Sequence, residues 1–471
     1  MEQIKLTGHD LLNAGFPEGK VIGVMLRVLE AHYSEICPQE QLELMRQVFL
    51  LPEDFENDKK LGPIAVALIK KKEKDAFNLS ERPKDYSVYG AEGIEPGAIR
   101  QMRVAMRLPV THSGALMPDA HEGYGLPIGG VMATNNAVVP YAVGVDIGCR
   151  MCLSVYDIPG KFLDANTEKL KKMLTEYTRF GFDAFAEPMD DPVFARSAFD
   201  DIHFLKSQNL KDKAYAQIGT SGGGNHFVEF GIVEITGEDN PWGLQAGRYV
   251  AVLSHSGSRG FGANIAKHYS KLARKKSMLP DEARHLAWLG LDTDDGKEYW
   301  AAMSLAGEYA EANHRHIHHR LALALGEDPL FKVENHHNFA WKELSANGEE
   351  IIVHRKGATP AGEGVLGIIP GSMASPGFVV RGKGNPQSLQ SASHGAGRVL
   401  SRKKALTTLS QQEFEQYIRQ AGITLIGSGL DESPMVYKDI HQVMEHQKDL
   451  VEVLAAFHPK IVRMDGDDLE N

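Results

Sequence analysis

The chain has 471 residues and a formal net charge of −11, with 42% hydrophobic and 24% charged residues. This length exceeds the size at which one core usually stops growing, so we expect two or three domains, or a large domain with an appendage. The negative charge excludes a protein coated in positive potential, so any nucleic acid would bind in a local basic groove. No apolar run approaches the roughly twenty residues of a membrane span and no leader pattern opens the chain, which predicts a cytoplasmic protein without membrane contact.

Residues 1–60 predict a helical N-terminal extension. Within it, residues 6–30 predict a short helical turn, a Phe-Pro-x-Gly loop and an amphipathic helix. Residues 6–12, Leu-Thr-Gly-His-Asp-Leu-Leu, resemble part of the helical module in the C-terminal region of tRNA nucleotidyltransferases, which implies a position near tRNA. A plain helical cap on the catalytic domain is the alternative.

Residues 61–97 are charged at first and then rich in Pro, Gly and Tyr, which is typical of a linker. Residues 98–471 follow as one large predicted domain. Its β-branched runs alternate irregularly with helical patterns, and no repeat period appears, which excludes solenoids and propellers. The pattern favours an α+β fold with mixed β-sheets flanked by helices. The predicted strands are 227–235, 248–253 and 350–353, and the predicted helices are 166–179, 262–276, 297–324, 411–421 and 438–456.

Cysteine usage points to a metal site. There are three cysteines, too few for a four-thiolate zinc site, and Cys149 follows Asp146 by three residues in a glycine-rich turn. Such a thiol, with a carboxylate and several imidazoles, can hold one or two transition-metal ions. Cys149 and Cys152 also form a Cys-x-x-Cys pair, but nothing around it resembles a thioredoxin unit, and Cys152 is expected in the core. Four histidines lie in glycine-rich or polar settings that suit such a site: His226, His255, His337 and His394.

A second group of histidines lies on a predicted helix. His314 and His318 are four residues apart and would therefore share one helix face. Arg315 follows His314, so the glutamate of a His-Glu-x-x-His metalloprotease is missing. We expect both histidines at the surface.

Seven segments together resemble one family in their order along the chain. They are 117–121 (Met-Pro-Asp-Ala-His), 123–130 (Gly-Tyr-Gly-Leu-Pro-Ile-Gly-Gly), 143–149 (Val-Gly-Val-Asp-Ile-Gly-Cys), 224–227 (Gly-Asn-His-Phe), 255–260 (His-Ser-Gly-Ser-Arg-Gly), 370–373 (Pro-Gly-Ser-Met) and 394–398 (His-Gly-Ala-Gly-Arg). On these segments the chain resembles the RtcB family, whose members are GTP- and manganese-dependent RNA ligases. The resemblance spans roughly residues 98 to 466 and leaves the N-terminal extension outside.

The resemblance implies a site for two manganese ions that share one thiolate. Asp146, Cys149 and His226 would bind the first ion, and Cys149, His255 and His337 the second. His337 rather than His336 is chosen because family members carry a His-Asn pair here, matched by His337-Asn338. Thiolate and imidazole suit zinc or iron at least as well, so the identity of the metal rests on the resemblance alone.

The resemblance also implies that His394 is the nucleophile that takes GMP from GTP. Arg259 and Arg398 are expected at the RNA, with further basic residues at 402–404. The positions matching nucleotide contacts are Asn225, Glu229, Asn338, Pro370, Gly371, Ser372, Met373, Gly395, Ala396 and Gly397.

The implied function is to join an RNA 3′-phosphate or 2′,3′-cyclic phosphate end to a 5′-hydroxyl end, in RNA repair or tRNA splicing, with tRNA and an activator protein as candidate partners. Two alternatives stay open: an RNA 3′-end guanylating enzyme or phosphodiesterase that does not ligate, and a repurposed RNA-binding protein. Two positions depart from the family pattern. Asp465 stands where a lysine usually reaches the nucleotide, and Gly377 replaces a serine.

Overall fold

A computed structural model describes residues 6–16, 19–74, 78–237 and 240–466. The chain divides into two compact units: residues 1–78 with the short segment 276–279, and residues 79–275 with 280–471. Among the described residues, no helix combines the length and the apolar character needed to cross a membrane.

The N-terminal unit is helical. Its helices are α1 (Gly8–Asn13), α2 (Lys20–His32), α3 (Pro38–Leu50) and α4 (Gly62–Lys74). Thr7 and Asp10 form a capping box that starts α1, and Pro38 opens α3, where its missing N–H costs nothing. The apolar stripes of the helices meet in one core that includes Leu11, Met25 and Met45. Within the predicted Phe-Pro-x-Gly loop, residues 17 and 18 lie outside the described part of the chain.

The predicted linker at 61–97 differs from the structure. Its first part is α4, which buries Ile64, Ala65 and Leu68 in the core of the N-terminal unit. The division between the units falls after residue 78, not at residues 60 and 97. The average composition of residues 61–97 did not indicate a helix, because the lysines in and around α4 outnumber the apolar residues that pack along one of its faces.

The larger unit is built from strands and helices along its whole length. Its strands are β1 (Tyr86–Val88), β2 (Thr111–His121), β3 (Ile128–Thr134), β4 (Ala137–Val138), β5 (Arg150–Pro159), β6 (Phe227–Ile235), β7 (Gly247–Ser256), β8 (Leu289–Gly290), β9 (Phe331–His336), β10 (Asn338–Leu344), β11 (Glu350–Lys356), β12 (Ala358–Pro360), β13 (Leu366–Ile369), β14 (Gly377–Gly382), β15 (Ser391–Ser393), β16 (Thr424–Ile426) and β17 (Val451–Met464). Its α-helices are α5 (Pro96–Ala105), α6 (Pro140–Val143), α7 (Lys161–Ala165), α8 (Thr167–Tyr177), α9 (Ala198–Asp201), α10 (His203–Ser207), α11 (Leu210–Gln217), α12 (Arg259–Lys276), α13 (Asp294–Leu325), α14 (Arg402–Thr408), α15 (Gln411–Gln420) and α16 (Ile440–Glu445).

Two sheets organise the larger unit. The larger sheet runs in the order β13-β14-β17-β6-β7-β5-β9, with β16 added to β17, and the second runs β1-β2-β3-β11-β10. Parallel pairs, β1 with β2 and β16 with β17, occur beside antiparallel ones. The predicted α+β fold with mixed sheets is therefore confirmed.

The two faces of the larger sheet have different neighbours because side chains alternate along each strand. On one face, Tyr156 and Val252 pack with Leu170 of α8 and Ile317 of α13. On the other, Met151 and Leu253 belong to a second buried core and also line a cavity. The helices thus cover one face, and part of the other borders the cavity.

One predicted helix is only partly confirmed. The pattern at 438–456 predicts a helix, but α16 ends at Glu445 and β17 begins at Val451. β17 lies between β14 and β6, so its backbone hydrogen bonds go to strands far away in sequence. This pairing overrides a local helical pattern. The other four predicted helices match α8, α12, α13 and α15.

Candidate active site

Four adjacent strands bring the predicted metal ligands to one edge of the larger sheet. Cys149 precedes β5, His226 precedes β6, His255 lies near the end of β7 and His337 follows β9. These strands are neighbours and antiparallel, so the starts of β5 and β6 meet the ends of β7 and β9. The ligand positions, far apart in sequence, therefore lie side by side.

The side chains converge on one another. Cys149 Sγ lies 3.4 Å from His226 Nε2 and 3.2 Å from His255 Nε2. His255 Nε2 lies 3.2 Å from His337 Nε2, and His226 Nε2 lies 3.1 Å from Asp146 Oδ2. The donors form two groups that share Cys149: Asp146 with Cys149 and His226, and Cys149 with His255 and His337. These are the two sets that the family resemblance implies.

Protonation states at the cluster suit metal ions. His255 Nδ1 lies 2.9 Å from the carbonyl oxygen of Asn225, which only accepts, so Nδ1 carries the proton and Nε2 presents its lone pair to the cluster. Burial lowers the pKa of His255 to about 3 and also lowers that of His337, so both imidazoles are neutral. Burial and the charge of Asp146 raise the pKa of Cys149, so its thiolate forms only with a cation nearby.

Asp119 holds His394 in one orientation. Asp119 Oδ2 accepts from the backbone N–H of His394 at 3.1 Å and from its Nδ1–H at 2.7 Å. Burial alone would raise the pKa of Asp119, but the hydrogen bond from His394 and neighbouring positive charge outweigh burial and lower it, so the carboxylate is ionised. An ionised carboxylate only accepts, so Nδ1 is the donor, and Nε2 is the ring nitrogen that carries the lone pair whenever the imidazole is neutral. The His394 and His337 rings are 5.0 Å apart between centroids.

Asp119 lies within the Met-Pro-Asp-Ala-His segment, but the sequence alone predicted no role for it. The available signal was an aspartate flanked by apolar residues, which is seldom buried without a partner. Its partner comes from a loop 275 residues further along the chain. Only the tertiary structure could identify the pair.

The predicted nucleotide contacts lie mostly in one cavity. It is lined by His255, His337 and His394 together with Asn225, Glu229, Pro370, Gly371, Ser372, Met373, Gly395, Ala396 and Gly397. A Cβ added at Gly397 would lie 2.0 Å from the carbonyl oxygen of Asp119, and φ there is +73°, so only glycine fits. Asn338 is not among the lining residues. Its amide instead joins two backbones, donating to Asp146 O at 3.3 Å and accepting from Gly357 N–H at 2.9 Å.

The predicted RNA-binding arginines occupy different places. Arg398 lines the cavity, as does Arg402. Both form ion pairs with the buried Glu432, a residue that sequence reasoning missed. Arg259 does not line the cavity: its guanidinium donates to Thr220 Oγ1 and to a backbone carbonyl inside the protein.

The two departures from the family pattern lie near the cavity. Gly377 lines it. β17 pairs with β6 up to Met464, so the chain stays in the sheet until Asp465. The Asp465 carboxylate packs against the glycine loop before His226, since a Cβ on Gly223 would lie 2.7 Å from Oδ2. Residues 467–471 lie outside the described part of the chain.

The prediction that His314 and His318 lie at the surface is wrong, since both are buried. They project from α13 onto the covered face of the larger sheet, where Cys152 offers a third possible metal ligand. However, Ser254 Oγ already lies between the rings, 2.7 Å from His314 Nδ1 and 2.8 Å from His318 Nε2. At Cys149 the ligand atoms face one another directly. We therefore interpret the second group as a hydrogen-bonded network that joins α13 to the sheet.

The geometry is that of a buried cluster of side chains that could hold metal ions, beside a histidine whose Nδ1 is fixed by a carboxylate. The family model described as "tRNA-splicing ligase RtcB" matches residues 101–465. RNA-splicing ligase RtcB1 of Escherichia coli (strain ATCC 25922) is 34% identical over 399 residues, covering 77% of this chain and 92% of the relative. RNA-splicing ligase RtcB of E. coli K12 is 33% identical with the same coverage, and tRNA-splicing ligase RtcB of Nanoarchaeum equitans is 30% identical, covering 77% and 90%.

The chain belongs to the RtcB family. The matched region begins at residue 101 and therefore leaves the helical N-terminal unit outside.

Proposed function

We propose that this protein is a GTP- and manganese-dependent RNA ligase that joins 3′-phosphate or 2′,3′-cyclic phosphate ends to 5′-hydroxyl ends. One observation carries the proposal. His394 donates its Nδ1–H to Asp119, its Nε2 has no hydrogen-bond partner among the described residues, and its ring lines the same cavity as His337 and His255. A nucleophile with a fixed tautomer beside metal-ligating side chains suits nucleotidyl transfer.

In the first step, His394 Nε2 attacks the α-phosphorus of GTP. The new bond is N–P, the bond that breaks joins the α-phosphorus to the bridging oxygen, and pyrophosphate leaves with the electron pair. The imidazole becomes positively charged as the bond forms. The ionised carboxylate of Asp119, 2.7 Å from Nδ1, stabilises that charge and keeps the ring in position.

In the later steps GMP passes from His394 to the RNA 3′-phosphate, and the 5′-hydroxyl oxygen then attacks that phosphate and displaces GMP. A cyclic phosphate is first hydrolysed to the 3′-phosphate. Guanylation supplies a leaving group that a phosphate monoester lacks. Arg398 and Arg402 support this proposal, because both guanidinium groups line the cavity, where they are held by Glu432 and present further N–H donors to a phosphate.

The donor set fits divalent transition-metal ions. Asp146, Cys149 and His226 would hold one ion, and Cys149, His255 and His337 the other. Bound ions of this kind polarise phosphoryl oxygens and neutralise the charge of the leaving group. Manganese itself is proposed from family membership, since thiolate and imidazole donors do not distinguish it from zinc or iron.

Further proposals concern the nucleotide and the N-terminal unit. Burial raises the pKa of Glu229, so this cavity-lining side chain is neutral until a ligand arrives, and guanine N–H donors would favour its ionised form.

Residues 1–60 are proposed to steer tRNA-like substrates, with a helical cap as the alternative. Deleting residues 1–78, which removes α1–α4 together, should weaken ligation of nicked tRNA more than that of a short oligonucleotide. Equal effects on both substrates would support the helical cap.

The test is incubation with α-labelled GTP and Mn²⁺, followed by RNA carrying 3′-phosphate and 5′-hydroxyl ends. A ligase gives a labelled protein and then joined RNA, with the label absent from His394→Ala. His319→Ala, which changes an exposed histidine on α13, is the matched control and should retain both signals. Labelled RNA that is never joined would indicate the 3′-end guanylating enzyme, and no label on the protein would contradict the proposed mechanism.

A further inference from the structure

The loop between β2 and β3 leaves the cavity and returns to it. β2 ends at His121 and β3 begins at Ile128, and both residues line the cavity that contains His394. The tip of the loop carries Tyr124, whose side chain is 67% exposed. A large exposed aromatic ring thus lies within a few residues of the proposed joining site.

The loop is held in place on three sides. Gln101 exchanges two hydrogen bonds with the backbone of Gly123, at 2.6 and 3.0 Å. The buried Lys356 donates from Nζ to the carbonyl oxygen of Tyr124 at 2.6 Å. Gly125 has a φ of +74° and packs so closely on His285 that an added Cβ would lie 3.1 Å from it. Tyr124 is therefore presented by a fixed backbone, which lowers the entropy cost of binding.

Tyr124 belongs to an aromatic cluster, the Tyr124 platform, formed by Tyr124, Tyr141 and His285. The Tyr124 ring centroid lies 6.4 Å from that of Tyr141 and 5.7 Å from that of His285, both in edge-to-face geometry. Tyr141 and His285 are 5.0 Å apart. The inner rings hold the outer ring upright and leave it open to solvent.

Two basic side chains adjoin the platform. Lys356 Nζ lies 5.1 Å from the ring centroid of Tyr141, and Arg284 Nε lies 3.2 Å from His285 Nε2. Arg284 carries a permanent positive charge beside the exposed ring, whereas Lys356, whose pKa burial lowers to about 7, is charged mainly below that pH. Proteins that bind single-stranded nucleic acid stack its bases on aromatic rings and contact its phosphates with basic side chains.

We propose that the Tyr124 platform stacks a nucleobase of the RNA strand whose end enters the His394 cavity. The proposal rests on the RNA ligase function proposed above. Stacking needs an unpaired base, so the occupant is a nucleotide within a few positions of the end being joined, where strands are frayed. The platform would hold that end in register with the cavity, independently of base identity, because every base has a π-face.

Direct RNA binding tests the platform without relying on ligation. A fluorescent single-stranded RNA with a 3′-phosphate is titrated with wild-type protein, Tyr124→Ala and Tyr124→Phe. Loss of one stacked base should weaken binding of the alanine variant roughly five- to a hundredfold, and the phenylalanine variant should bind like wild type. Tyr417→Ala is the matched control, since Tyr417 is 41% exposed on α15, a helix that does not line the cavity.

An abasic walk locates the base. An abasic nucleotide is placed in turn at each of the first four positions from the 3′ end. At one position it should weaken binding by wild type while leaving the already weakened binding by Tyr124→Ala unchanged. Equal affinities of wild type and Tyr124→Ala, or equal losses for both proteins at every position, would overturn the platform. Failure of wild type to join RNA would instead overturn the proposed function, which the ligation assay reports separately.

Discussion

Replacing Asp119 with asparagine tests whether this residue controls the nucleophile. Asp119 Oδ2 accepts two hydrogen bonds from His394, and Oδ1 is buried with no partner among the described residues. Asparagine has the same shape, so its carbonyl oxygen can occupy the position of Oδ2 and accept both bonds. The opposite orientation would point an NH₂ group at two donors and force the proton of His394 onto Nε2. The first orientation is therefore expected.

The magnitude follows from the change of acceptor. A hydrogen bond to a charged group contributes about 1.5–3 kcal/mol and one to a neutral group about 0.5–1.5 kcal/mol. The substitution therefore removes about 1–1.5 kcal/mol of stabilisation from the transition state, in which the imidazole carries a positive charge. We expect the rate of His394 guanylation to fall about tenfold. Were the wrong tautomer imposed, the loss would approach the roughly 10⁴-fold known for the equivalent aspartate change in serine proteases.

The assay is single-turnover transfer of label from α-labelled GTP to the protein, without RNA. Asp191→Asn is the matched control, because Asp191 is also buried and accepts from an imidazole, that of His316 at 2.9 Å, but does not line the cavity. This control should lose stability while keeping its guanylation rate. A wild-type rate in Asp119→Asn, or an equal fall in Asp191→Asn, would refute the role assigned to Asp119.

Three further predictions follow from the same geometry. Cys149→Ala should lose both bound metal equivalents in elemental analysis, whereas His255→Ala should lose mainly one, and retention of both ions by Cys149→Ala would rule out the shared ligand. Burial lowers the pKa of Lys356 to about 7, so between roughly pH 7 and 10 the unfolded chain binds a proton that the folded chain does not, and stability should rise with pH across that window. Lys356→Met should abolish that rise in the free energy of unfolding, which is worth up to about 4–5 kcal/mol in the wild type. Urea unfolding at several pH values measures it, and the same dependence on pH in wild type and variant would contradict the lowered pKa of Lys356. Asp465→Lys should speed guanylation roughly tenfold or more if this position reaches the nucleotide, and an unchanged or lower rate would show that it does not.

The residues of the candidate site were largely identified from sequence, whereas several structural contexts were not. Cys149, His226, His255 and His337 stand in glycine-rich or polar segments that are not typical of packed core positions, and an ordered set of such segments marks a family without any structure. Their residue types are those that transition metals prefer. Longer amphipathic helices such as α12 and α13 were also predictable, because their periodicity is a local property of the chain.

Only the tertiary structure decided which side chains meet. Antiparallel pairing of four strands places Cys149 beside His255, and the packing of a distant loop pairs Asp119 with His394. The same kind of long-range pairing makes β17 a strand where the local pattern favoured a helix. His314 and His318 on α13 are buried because Ser154 and Ser254 of the larger sheet form hydrogen bonds with their rings. Local periodicity reports the structure of a segment, but burial, hydrogen-bond partners and protonation depend on surroundings contributed by residues far away along the chain.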